Sequence, residues 1–108
     1  MTDIFSLKVE DIVSKIKDAQ LTSVELCQKY IERIDKFEKE VKAWVHFDKK
    51  LLLEKAEESD QHRRSGKPTG PLHGIPVALK DIIGTVDMPT ECGTPIRKGK
   101  SYSQNAEI

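Results

Sequence analysis

Apolar residues recur along the first third of the chain at spacings of three and four. Val9, Ile12, Val13 and Ile16 share one helical face, with lysines and acids on the other. This predicts a first helix, capped by Ser6 and fading near Gln20. Thr22-Ser23-Val24-Glu25 reads as a capping box. In such a box the Thr22 hydroxyl accepts from the Glu25 N–H, and the Glu25 carboxylate reaches back to the Thr22 N–H. Cys27, Tyr30, Ile31, Ile34 and Phe37 then make an apolar stripe, predicting a second helix with Glu38-Lys39-Glu40 as its solvated end. The pattern changes at Ala43-Trp44-Val45-His46-Phe47, whose aromatic and β-branched residues predict a strand. His46 is its polar, solvent-facing or hydrogen-bonded member. From Asp48 to about Arg64 the helical period returns, with Leu52, Leu53 and Ala56 inward and Asp48 as the cap. His62-Arg63-Arg64 suits the negative end of the helix dipole. Gly66 ends this helix and Pro68 prevents its continuation.

The next block is Gly70-Pro71-Leu72-His73-Gly74-Ile75-Pro76-Val77-Ala78-Leu79-Lys80-Asp81. A loop rich in Gly and Pro runs into an apolar stretch that stops at a lysine. Val77, Ala78 and Leu79 predict a short strand buried on both faces, with Ile82-Ile83 extending it. Pro76 fits the first position of that strand, where it removes no ladder donor. Lys80 then sits at the carboxyl end of a buried strand, where ligands tend to bind in open α/β sheets. Partial desolvation there favours the neutral amine, the form that accepts a proton. Asp81 is expected to bond nearby backbone N–H groups, and His73 to make a loop hydrogen bond. Beyond Lys80, Gly84, Pro89, Gly93, Pro95 and Gly99 punctuate a loop region. A further helix looks set to begin near Asn105. Pattern alone therefore predicts helix, helix, strand, helix, strand, then irregular chain.

Composition narrows the function classes. With 108 residues there is room for one small domain. The 18 basic and 18 acidic side chains cancel, leaving no strong field for nucleic acid or an anionic membrane. Two arginines in His62-Arg63-Arg64, without interleaved aromatics, make no nucleic-acid patch. No apolar run approaches the roughly 20 residues that span a bilayer. Met1-Thr2-Asp3-Ile4-Phe5 lacks the basic and apolar regions of a signal peptide, so a cytoplasmic location is the default. Cys27 and Cys92 share no CxxC spacing, and His46, His62 and His73 form no HxxxH pair. Reduced thiols are expected, and no metal site.

Taken together, these segments resemble the N-terminal portion of amidase-signature hydrolases. The resemblance rests on the two N-terminal helices and the 43–47 segment, the pattern Ala56…Asp60…Gly66, and the lysine-ended block 70–81. It continues through the loop Thr85…Met88-Pro89-Thr90-Glu91-Cys92-Gly93-Thr94-Pro95-Ile96. It implies an α/β fold, the N-terminal part of an α/β/α layered arrangement with a mixed central sheet. Residues 1–108 would be one portion of a single such domain, ending before its serine-rich segment. By the same resemblance, Lys80 matches the lysine of a Ser–cis-Ser–Lys triad. In that triad a neutral lysine acts through a bridging serine to activate a nucleophilic serine. An amide carbonyl is attacked, an acyl-enzyme forms, ammonia or an amine leaves, and water completes hydrolysis. Backbone N–H groups steady the oxyanion.

No metal or organic cofactor is implied. The implied partner is a small-molecule amide, with neither nucleic acid nor membrane contacted directly. One branch of the family comprises glutamine-hydrolysing A subunits of tRNA-dependent amidotransferases, and membership there would add partner subunits. A non-catalytic interaction module is the remaining alternative. Ser101 and Ser103 lie in no Gly-Gly-Ser context and are not nucleophile candidates, so this chain alone is expected to be inactive. Three positions depart from the family pattern: Thr94 stands for the usual Ser, Asn105 for Asp, and Gly84 for an acid or amide.

Overall fold

The computed structural model describes residues 3–108. Met1 and Thr2, at the head of the stretch read for a leader, lie outside them. Three helices follow one another: α1 (Val9–Lys17), α2 (Ser23–Val41) and α3 (Lys49–Arg64). Short 3-10 turns occupy Ile4–Ser6 and Pro95–Arg97. The chain divides into two units, one comprising residues up to Val41 with Asp48–Pro76, the other Lys42–Phe47 with Val77–Ile108.

In the helical unit, Ser6 does not cap α1. Its hydroxyl donates to the Asp3 carbonyl at 2.7 Å and closes the first 3-10 turn, which Asp3 caps through the Phe5 N–H. Leu7 packs against the core, so the chain enters α1 only after it. Lys8 is the residue at the cap, and its N–H donates to the Asp11 carboxylate at 3.3 Å. Burial of Ile12 and Ile16 gives α1 its inner face, while Val9 is half exposed.

The capping box of α2 forms as the sequence predicts. The Glu25 N–H donates to Thr22 Oγ1 at 3.0 Å, and the Thr22 N–H donates to Glu25 Oε2 at 2.8 Å. The buried face of α2 lies at Ser23, Leu26 and Cys27, nearer its start than the predicted stripe, and Phe37 is exposed. Ile12, Ile16 and Leu26 form the core, with Ile4, Leu7, Leu21, Tyr30 and Ile75 packed on it. Of the predicted stripe, Tyr30, Ile31 and Ile34 are half-buried and only Phe37 is exposed.

Helices α2 and α3 form an antiparallel hairpin. Lys49, at the start of α3, pairs with Asp35 of α2 at 2.6 Å. Asp60, near the end of α3, reaches the first turn of α2. Asp48 caps α3 through the Leu51 N–H at 3.0 Å, and Gly66 follows with φ of 77°. Both features match the pattern in the sequence.

The second unit corrects the fold expectation. Neither 43–47 nor 77–79 is a strand, and the mixed sheet is not seen among the described residues. Val45 and Val77 are 70% and 67% exposed. A strand needs a neighbour's N–H and C=O groups, and apolar, β-branched composition reports only a preference for such a place. The 77–79 segment has no such neighbour among the described residues. Ile82-Ile83 do not extend a strand either, because the Ile83 N–H donates to the Lys80 carbonyl at 3.0 Å and closes a turn. The rest of this unit is irregular chain held by hydrogen bonds around Thr90, which is almost wholly buried.

Candidate active site

The block that carries the candidate lysine is held at both ends, each within its own unit. In the helical unit, Ser23 Oγ donates to the Gly74 carbonyl at 2.7 Å. The His73 ring Nε2 bonds the Ser59 carbonyl at 2.7 Å, the loop role expected of it. Gly74 has φ of 81°, and a Cβ there would meet Ile16 side-chain atoms at 3.3 Å. Ile75 packs on the core. His62 lies beside His73, with ring centroids 5.2 Å apart and its own Nε2 bonded to the Pro68 carbonyl.

Asp60 anchors this arrangement and is 1% exposed. Its Oδ1 accepts from the Ser23 N–H at 2.8 Å and its Oδ2 from the Val24 N–H at 3.0 Å. A helix leaves its first N–H groups without internal partners. Here they are assigned in turn: Ser23 and Val24 to Asp60, Glu25 to Thr22. The carboxylate also sits at the positive end of the α2 dipole. From the sequence, Asp60 stands out only as part of a family pattern, since nothing local in α3 marks a residue that caps another helix. Beside it, Cys27 is buried. Burial pushes its thiol above the ordinary range; a Ser23 hydrogen bond opposes this and the Asp60 charge adds to it.

Lys80 itself is exposed, so the burial expected of it at a strand end is not present in this chain. Its backbone is nevertheless fixed. Its carbonyl accepts from Ile83, and the next residue, Asp81, is bonded through both side chain and backbone. Asp81 Oδ1 accepts from the Glu91 N–H at 2.8 Å, and the Asp81 carbonyl accepts from the Cys92 N–H at 3.0 Å. Asp81 is thus a backbone-bonding residue, as expected. The Glu91 carboxylate accepts from the Gly99 N–H at 2.7 Å, the Thr90 N–H donates to the Lys100 carbonyl, and Arg97 Nε donates to the Thr90 carbonyl.

The three positions that depart from the family pattern all have local work in this unit. Asn105 Oδ1 accepts from the Val86 N–H, Thr94 caps the 3-10 turn at Pro95–Arg97, and Gly84 lies against the Tyr102 ring. His46 is solvent-exposed. A depression along α3, lined by Lys50, Leu53, Glu54, Glu57, Glu58 and Gln61, holds none of the predicted site residues. No helix among the described residues is long and apolar enough to cross a membrane.

Comparison with known proteins places this geometry. A family model described as Amidase matches residues 25–108. The A subunit of glutamyl-tRNA(Gln) amidotransferase from Streptomyces coelicolor is 37% identical over 99 residues, covering 92% of this chain and 20% of that protein. The protein of the same name from Thermobifida fusca is 34% identical over 108 residues, covering 100% of this chain and 22% of that protein. The chain therefore spans about a fifth of the length of these relatives. Among solved structures, it is similar to a chain of an unexpected vestigial protein complex that reveals the evolutionary origins of an s-triazine catabolic enzyme. The TM-score is 0.83 at 21% identity, covering 93% of this chain and 22% of that one, a likeness of fold. With the family model matching from α2 through the lysine-bearing turn to the last residue, the chain belongs to the amidase family.

Proposed function

We propose that these residues are the N-terminal portion of an amidase domain that hydrolyses carbon–nitrogen bonds, and that Lys80 is its general base. The observation that carries this reading is a lysine in the family's lysine-ended block whose backbone is tied on its C-terminal side by Asp81. In the proposed reaction the Lys80 amine takes a proton, through a bridging serine, from a second serine that attacks the amide carbonyl. A positive lysine must lose its proton to do this, so its surroundings in the working enzyme must be drier than those of the exposed side chain here. No Gly-Gly-Ser segment lies within the 108 residues. The nucleophile and bridging serine would come from elsewhere in a longer protein.

The glutamine-hydrolysing subunit of a tRNA-dependent amidotransferase is the more specific form of this reading. The names of the relatives from Streptomyces coelicolor and Thermobifida fusca favour it, and it implies partner subunits. The free Cys27 and Cys92 thiols suit a reducing, cytoplasmic setting.

The test is a chimera in which this chain replaces the matching fifth of the Streptomyces coelicolor protein. Release of ammonia from glutamine that disappears in Lys80→Ala supports the assignment. Full activity in Lys80→Ala rejects it. The 108-residue chain alone is expected to turn over no amide.

A further inference from the structure

Residue 81 is held in an unusual way. Two consecutive amides, those of Glu91 and Cys92, both point at it, one to its side chain and one to its carbonyl. In extended chain, successive N–H groups point to opposite sides, so the 91–92 backbone must bend to aim both at one residue. Cys92 has φ of 53° and Gly93 φ of 71°. A left-handed conformation is uncommon outside glycine and costs conformational energy. Such strain persists where the surroundings hold it in place. Those surroundings are visible: the Glu91 carboxylate takes the Gly99 N–H, the Thr90 N–H donates to the Lys100 carbonyl, and Arg97 Nε binds the Thr90 carbonyl. A chain of bonds thus runs from 97–100 to 90–92, from there to Asp81, and along the backbone to Lys80.

We infer that Asp81, gripped by the consecutive amides of Glu91 and left-handed Cys92, is a positioning residue that sets the backbone of Lys80. The role is that of an acceptor and not of a second base, since both Asp81 bonds come from backbone N–H groups. The inference deepens the reading of Lys80 as general base and rests on it for its catalytic meaning. A misplacement of about 1 Å at a reacting group lowers rates by about a hundredfold, so a small change at Asp81 is expected in kcat and not in KM.

Two measurements test it. In the 15N-labelled 108-residue chain, amide exchange is read at Glu91 and Ile83, with Leu26 in α2 as reference. Asp81→Ala is expected to speed exchange at Glu91 and Ile83 by about tenfold or more with Leu26 unchanged. Asp81→Asn keeps an oxygen for the Glu91 N–H and is expected to stay within about twofold of the native chain. Cys92→Gly should preserve protection and Cys92→Val should lose it, a comparison that leaves Asp81 untouched. Unchanged exchange in Asp81→Ala, or like behaviour of the two Cys92 variants, overturns the bracket.

In the chimera, Asp81→Ala is expected to lower kcat about tenfold or more with KM nearly constant, and Asp81→Asn to restore it. Full kcat in Asp81→Ala, or an equal loss in Asp81→Asn, overturns the positioning role, provided Lys80→Ala is inactive. Activity that survives Lys80→Ala rejects the base assignment instead, and amide exchange alone then judges the bracket.

Discussion

Cys27 and Cys92 are the same residue type in opposite circumstances. Cys92 is exposed, and Cys27 is buried with its thiol pushed upward by desolvation. Native protein at neutral pH should therefore consume one equivalent of a thiol reagent promptly, at Cys92, and the second only as the chain opens. Peptide mapping of the modified chain checks the order. The raised thiol also gives stability a pH dependence of known sign. Below about pH 9 the thiol is protonated in folded and unfolded chains alike, and its contribution is complete. Above that range the unfolded chain releases the proton first, so stability falls with pH until the folded thiol also ionises. Cys27→Ala should flatten that decline in urea titrations at high pH. Glycine carries a second residue-scale expectation. Gly74→Ala meets both a positive φ and Ile16, and should cost about 1–3 kcal/mol, measured by the same titration.

Among elements, α2 separates what local sequence can and cannot say. Its capping box was legible because both partners lie within four residues, and Asp48 and Gly66 frame α3 for the same reason. The Asp60 cap was not legible, because it joins residues 36 and 37 apart and depends on how two helices dock. Ser6 misleads through an equally local rule, since a 3-10 turn and the inward Leu7 compete for the same residues. The two caps of α2 should differ in worth. Thr22→Ala removes a partly exposed bond and should cost about 1 kcal/mol. Asp60→Ala leaves the Ser23 and Val24 N–H groups without their acceptor, one of them buried, and should cost about 2–5 kcal/mol. Chemical denaturation of the two variants ranks them, and equal losses would contradict the assignment.

At the scale of the whole molecule, neither segment of strand-like composition is a strand among the described residues, and Val45 and Val77 remain exposed. Their composition suits a buried sheet, yet ladder partners are supplied by other parts of a fold, and this chain spans about a fifth of the length of the relatives it matches. Lys80 was legible as a position in a motif, while its expected burial depended on that sheet. Being exposed here, Lys80→Ala should change the stability of the 108-residue chain by less than about 0.5 kcal/mol, seen as an unchanged urea midpoint. The Asp60 carboxylate has a different bearing on how the molecule is assembled. The first turn of α2 is completed by two carboxylate oxygens supplied from the far end of the following helix. A synthetic peptide of α2 alone should therefore fray at its start, and protection of the Ser23 and Val24 amides should arrive during refolding only when α3 docks. The hairpin then folds as one cooperative piece, and a cleavage between its helices would uncap α2 from a distance.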